Sequence, residues 1–125
     1  MTKMDSYEAQ FGFWSSFGVP AYEENSVPTG EGYPSYPYIT YEAVSGGFNA
    51  DISVNGYIWT RSPSWVAADK LADQIKAELK NGGKLVPYDG GAIWITAEDD
   101  FAHNMNDITD NMIKRKVINV VLHFS

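Results

Sequence analysis

Residues 49–61 alternate between two kinds of side chain, a period of two that suits an extended strand with one buried face. Ala50, Ile52, Val54 and Ile58 form the apolar row, which Gly56 interrupts as a mark of a bulge or of close approach by another group. The opposite row reads Asp51, Ser53, Asn55, Tyr57 and Trp59. An antiparallel sheet in a small domain usually gives its second face to small polar or charged groups. Large aromatics mixed with Ser, Asn and Thr suit protein–protein contact surfaces instead. The strand therefore predicts a sheet with a core on one face and a partner on the other.

The flanking segments supply the rest of the sheet. Residues 5–17 read as a short helix, with Asp5 or Ser6 as N-cap, Tyr7, Phe11, Trp14 and Phe17 as its apolar stripe, and Gly18 and Pro20 as its end. Residues 18–37 are rich in Pro and Gly. They predict a brief extended piece at 21–24, then a mobile loop in which Tyr33 and Tyr36 are candidate partner contacts. Residues 38–44 form a strand that turns at Ser45-Gly46-Gly47 into an antiparallel partner over 48–61. Ser62-Pro63-Ser64 opens a second helix, with Pro63 in its first turn. Trp65, Ala68, Leu71, Ala72, Ile75 and Leu79 give it a continuous apolar face. A hairpin of 84–88 and 92–97 turns at Asp89-Gly90-Gly91, a polar loop covers 98–110, and a last strand covers 112–124. The expected fold is α/β of the α+β kind, one domain over residues 1–125. Two helices pack on one face of a mainly antiparallel sheet.

Tyr38, Thr40, Tyr57, Trp59, Trp94, Thr96, Val117, Asn119, Val121 and His123 then collect on the second face. That set is too aromatic for open solvent and too polar for a dry core, which points to a contact face in an oligomer. The chain carries a net charge of −7, and Lys3 is the only basic residue in positions 1–60. Such a charge disfavours phosphate gripping, and solubility alone would account for it. The chain has no cysteine, which excludes disulfides, thiolate zinc sites and cysteine nucleophiles. Met1–Asp5 lacks a signal-peptide apolar run, and no stretch has the length and apolarity of a membrane span, so a cytosolic setting is expected.

Catalytic constellations are sparse. His103 and His123 are the only imidazoles, and no Gly-x-Ser-x-Gly elbow accompanies them, so no nucleophile with a poised base is expected. The carboxylates of 98–110 lack EF-hand spacing. They read as a solvated loop, with weak magnesium binding between subunits as the alternative. No cofactor or metal site is expected. Lys114-Arg115-Lys116 alternates between faces and meets acidic groups of its own chain or of a neighbour.

Several segments, in this order, resemble the tail terminator proteins of tailed bacteriophages, above all those of Gram-positive hosts and related tail-like particles. They are Phe13-Trp14-Ser15-Ser16-Phe17-Gly18-Val19-Pro20-Ala21-Tyr22, Val27-Pro28 and Pro37-Tyr38-Ile39-Thr40-Tyr41-Glu42. The strand-to-helix junction Ile58-Trp59-Thr60-Arg61-Ser62-Pro63-Ser64-Trp65 follows, then Phe101-Ala102 and Lys114-Arg115-Lys116-Val117-Ile118-Asn119-Val120. The resemblance implies a homo-oligomeric ring, typically a hexamer, seated on the tail tube protein. It would stop tube growth and offer a surface to a head-completion (neck) protein. DNA would cross the lumen without specific binding, and no membrane is involved. The expected location is the tail–neck junction of the virion, with host cytoplasm during assembly. Interface candidates are Tyr57, Trp59 and Trp94 on the sheet face, Tyr33 and Tyr36 in the loop, and Asp99, Asp100 and Lys116 for electrostatic register. A connector ring of the neck is one alternative; an acidic immunity-type inhibitor of a basic toxin is another, of a different class.

Overall fold

The alternation in the central strand is satisfied by a six-stranded sheet, seen in a computed structural model that describes residues 5–47, 49–106 and 110–125, with Asn106 by its backbone alone. In chain order the elements are α1 (Ser6–Trp14), a 3₁₀ turn (Ser15–Phe17), β1 (Ala21–Glu23), β2 (Tyr38–Tyr41), β3 (Asp51–Arg61), α2 (Val66–Leu79), β4 (Lys84–Tyr88), β5 (Gly91–Asn106) and β6 (Ile113–Phe124). The sheet order is β1-β2-β3-β6-β5-β4. Only β1–β2 is parallel; the other pairs are antiparallel. The fold is α+β, with both helices on one face of the sheet.

β3 and β6 hold the centre through eleven matched residue pairs, from Asp51 opposite His123 to Arg61 opposite Ile113. Their inward rows, Val54 and Ile58 with Ile118, Val120, Leu122 and Phe124, are buried beneath the helices with Ile39, Ile93 and Ile95. Gly56 belongs to this row and marks close approach, not a bulge. The Trp14 indole lies over it, and a Cβ at Gly56 would sit 2.5 Å from that ring. Trp14 also stacks on Tyr41 with centroids 6.0 Å apart, so the sheet leaves a flat berth for one large ring.

The first helix is rotated so that only the later half of its expected stripe, Trp14 and Phe17, meets the core. Asp5 caps it, its side chain accepting from the Glu8 amide at 2.8 Å. Ala9, Gln10, Phe13 and Trp14 are buried, whereas Tyr7 and Phe11 are each 49% exposed. Gln10 explains the rotation. Its amide Nε2 donates to the Val44 carbonyl at 2.8 Å and its Oε1 accepts from the Val44 N–H at 3.0 Å. Residues 42–47 therefore form a connection outside the strands that is pinned by a side chain at Val44, not the arm of a tight hairpin turning at Ser45-Gly46-Gly47. Phe48, expected to open the following strand, lies outside the described residues.

In α2, Ala68, Leu71, Ala72, Ile75 and Leu79 face the sheet, as the periodicity predicts. The helix begins later than Pro63, however. Residues 62–65 form a bend in which the Ser62 Oγ accepts from the Ser64 amide at 3.2 Å, and Trp65 occupies the N-cap position. At the far side of the sheet the polar loop of 98–110 is corrected as well. Residues 98–106 belong to β5, with an irregular register between Ala97 and Ala102. Phe101, buried to 9% exposure, plugs the helix-side core and holds that irregularity in place. Hydrophobic anchoring thus outweighs the strand-averse run of Glu and Asp.

The edge at β4 is blunted. Ala92 exchanges both backbone bonds with Ser125, so Pro87, opposite Ala92, turns its own backbone outward where no ladder hydrogen bond is lost.

Gly56→Ala tests the Trp14 berth. Overpacking by one methyl should cost about 1–3 kcal/mol in urea unfolding. A midpoint equal to or above wild type would show that the indole does not need this glycine.

Candidate protein-contact face

The face of the sheet turned away from both helices is laid down by the outward row of β3 and its register neighbours. Tyr38 stands opposite Trp59, Thr40 opposite Tyr57, Trp59 opposite Arg115 and Tyr57 opposite Val117. One half of this face is an aromatic cluster. Tyr38 and Trp59 stack at 5.9 Å with planes 7° apart, and Tyr36 and Tyr22 close on Tyr38 at 5.3 and 6.2 Å. The Trp59 indole N–H donates to Thr40 Oγ1 at 2.9 Å. Arg115 spans the cluster, its guanidinium 5.1 Å from the Trp59 ring centre and 5.7 Å from that of Tyr57.

This packing corrects part of the expected open face. Tyr38 and Thr40 are buried, at 7% and 6% exposure, under aromatic neighbours of their own face. Tyr57 and Trp59 remain half-buried, while Tyr36, Tyr33 and Trp94 are 38%, 61% and 45% exposed. Burial pushes the Tyr38 phenol up to about 12, with the Tyr36 and Tyr22 hydroxyls adding to the shift.

The other half of the face is polar. Asp51 Oδ1 lies 2.8 Å from His123 Nδ1, and His123 Nε2 lies 2.9 Å from Thr96 Oγ1. Trp94 packs on the imidazole with centroids 4.8 Å apart and donates its indole N–H to the Gly82 carbonyl at 2.5 Å. Ser53 donates to Glu98 at 2.5 Å. The sequence reading found no base beside a hydroxyl, whereas the fold brings one there: the two contacts have the connectivity of a carboxylate–imidazole–hydroxyl relay. Ladder amides lie in the sheet plane and point at neighbouring strands, so those of the paired stretch Ile93–Ala97 are not aimed at an oxyanion above Thr96. The relay instead ties β3, β6 and β5 together. A cue was available in the alternation, which puts Asp51, Thr96 and His123 on one face, but the cross-strand registers were needed to make them neighbours.

The three residues singled out for electrostatic register, Asp99, Asp100 and Lys116, line one hollow on the helix side together with Asp73 and Lys76, but no ion pair joins Lys116 to either aspartate. Lys116 points to the helix side, where its ammonium meets Asp69 at 2.7 Å and Asn104 at 2.8 Å. Lys114 also lies on that side, 5.7 Å from the Trp65 ring centre. Asp99 and Asp100 are exposed at the β5 irregularity, Asp100 lying 3.6 Å from His103. Arg115 is the member of the basic triplet that reaches the contact face, and sequence reasoning did not single it out.

A cleft of about 740 Å³ opens on the opposite, helix-bearing side. Phe13, Phe17, Ala77 and Val86 line it, and its charged pair, Glu78 and Lys84, is joined at 2.6 Å. Among the described residues no three His, Asp or Glu side chains are grouped to hold a metal ion, and no helix is long and apolar enough to cross a membrane. Neither family models, curated proteins nor solved structures yield a match to this chain.

The raised Tyr38 pKa has a defined consequence. The folded state holds the proton more tightly than the unfolded chain, so this contribution is fully present below about pH 10 and is lost as pH rises through about 12. Unfolding midpoints should fall across that window, and Tyr38→Phe should flatten the decline. An unchanged alkaline slope in the variant would place the titration elsewhere.

Proposed function

We propose that this chain is a non-enzymatic structural protein that assembles into a ring on a phage tail tube, ends tube growth and presents a surface to the neck. One observation carries the assembly part. The sheet has a whole face that neither helix covers, half aromatic and half polar, with Trp59, Tyr57 and Trp94 incompletely buried by their own chain. Buried aromatic and arginine anchors with a polar surround are the usual make-up of a protein interface.

The tail-terminating part is supported by the ordered segments that resemble the terminator family. The junction at residues 58–65 has a definite structural task in this chain, turning from β3 into α2. Arg61 pairs there with Asp110, and the Ser62 amide donates to the Met112 carbonyl at 2.7 Å. A small sheet with helices on one face also agrees with the architecture that the family implies. The mechanism is steric: ring closure on the last tube layer removes the surface to which another layer would add. An acidic lumen would repel DNA phosphates and let the genome pass without being gripped.

Electron microscopy of particles assembled without this protein tests the reading. Tubes of uncontrolled length are expected. Tails of normal length without heads would transfer the protein to a connector role, and intact virions would overturn both.

A further inference from the structure

We propose that Arg115, held across the Trp59 and Tyr57 rings, is the receptor for the acidic crest Asp99-Asp100 of a second copy of this chain. This inference rests on the self-assembly reading above and names the contact through which it occurs.

The receptor half is prepared by its own strand. In residues 114–116 the side chains alternate, so Lys114 and Lys116 serve the helix side, with Lys116 bound to Asp69 and Asn104. Arg115 alone turns to the contact face. Among the described residues no carboxylate lies within ion-pair distance of it. Its guanidinium is held instead by two rings, at 5.1 and 5.7 Å from their centres. Stacking restricts the side chain before any partner arrives and leaves edge N–H groups for a carboxylate, which a guanidinium can bind in bidentate fashion. Reduced ordering cost on association follows from that restriction.

The ligand half is prepared by the β5 irregularity. Between Ala97 and Ala102 the strand inserts four residues opposite a short stretch of β6. Phe101 anchors the insertion in the core, and Asn119 fixes it by donating to the Asp100 carbonyl at 2.8 Å. Asp99 and Asp100 are left exposed there, at a hollow that Lys76 and Lys116 also line. Among the described residues Asp99 has no cationic partner within ion-pair distance, and Asp100 has only the His103 contact at 3.6 Å. β4 pairs only with Gly91–Ile95, so among the described residues the crest stands on a stretch of β5 with no strand on its outer side.

The two halves sit on different parts of the subunit: Arg115 in the middle of the sheet beside β3, the crest at its β5 edge. Contact between unlike surfaces runs head to tail and can close into a ring. In a chain of net charge −7, copies repel one another, so a specific cation-to-acid contact also selects the docking register.

Charge reversal with complementation tests this directly. Arg115→Glu, the double variant Asp99→Lys/Asp100→Lys, and wild type are compared by sedimentation velocity over a concentration series at low salt, with circular dichroism to check folding. Each variant alone should associate at least about tenfold more weakly than wild type, and an equimolar mixture should recover association, because an alternating assembly then joins opposite charges at every contact, the native pairing at one and its charge-reversed counterpart at the next. The exposed double variant carries the test if Arg115→Glu fails to fold: a normal association constant for it overturns the proposal. Unchanged association of a folded Arg115→Glu also overturns it. Weakening without rescue in the mixture removes the crest as the occupant. A wild-type chain that stays monomeric throughout overturns the assembly reading itself, and the wild-type series alone identifies that failure.

Discussion

The register between β3 and β6 is the constraint from which the remaining features follow. Eleven successive pairs place Val54 and Ile58 beside Val120, Leu122 and Ile118 on one side, and Tyr57, Trp59 and Asp51 beside Val117, Arg115 and His123 on the other. A slip of one residue would turn Ile118 and Val120 to solvent and Arg115 into the core. Core and contact face are therefore two readings of a single ladder. What fixes one fixes the other.

The helix side is settled by shape. Trp14 lies flat over a strand that has lost one side chain at Gly56, and Gln10 bonds Val44 as a neighbouring strand would. The contact side is settled by rings and charges: Tyr38, Trp59 and Arg115 pack one half, and the Asp51–His123–Thr96 chain laces the other. Most of this second face is consumed internally, so what it offers a partner is narrower than its composition implies. What remains accessible are the exposed Asp51, Ser53 and Asn55 at the start of β3, Trp94 and Tyr36, and the half-buried Trp59, Tyr57 and Arg115.

Periodicity made the sheet and the second helix legible, because Ile118–Phe124 and Ala68–Leu79 repeat their patterns long enough to exclude alternatives. It failed where one specific bond outweighs the average preference. In α1 the aromatic spacing favours Tyr7 and Phe11, but Gln10 finds two backbone partners at Val44 that lie 34 residues away, which no local pattern can reveal. In β5 the run Glu98-Asp99-Asp100 reads as loop, and one buried ring, Phe101, reverses the outcome. Charge alone groups Lys116 with Asp99 and Asp100, and the three do line one hollow, yet Lys116 makes its ion pair elsewhere. Its place in the alternation sends it to the helix side, toward Asp69, and its neighbour Arg115 to the face where a partner would find it.

Pro87 on the outer rim of β4 bears on how such a subunit behaves when crowded with its own kind. A rim that lacks one amide proton makes a poor template for a further strand, so sheets of neighbouring molecules do not readily merge into a continuous cross-β stack. Along this one rim, an aromatic-rich chain is thereby guarded against fibrous growth by strand addition.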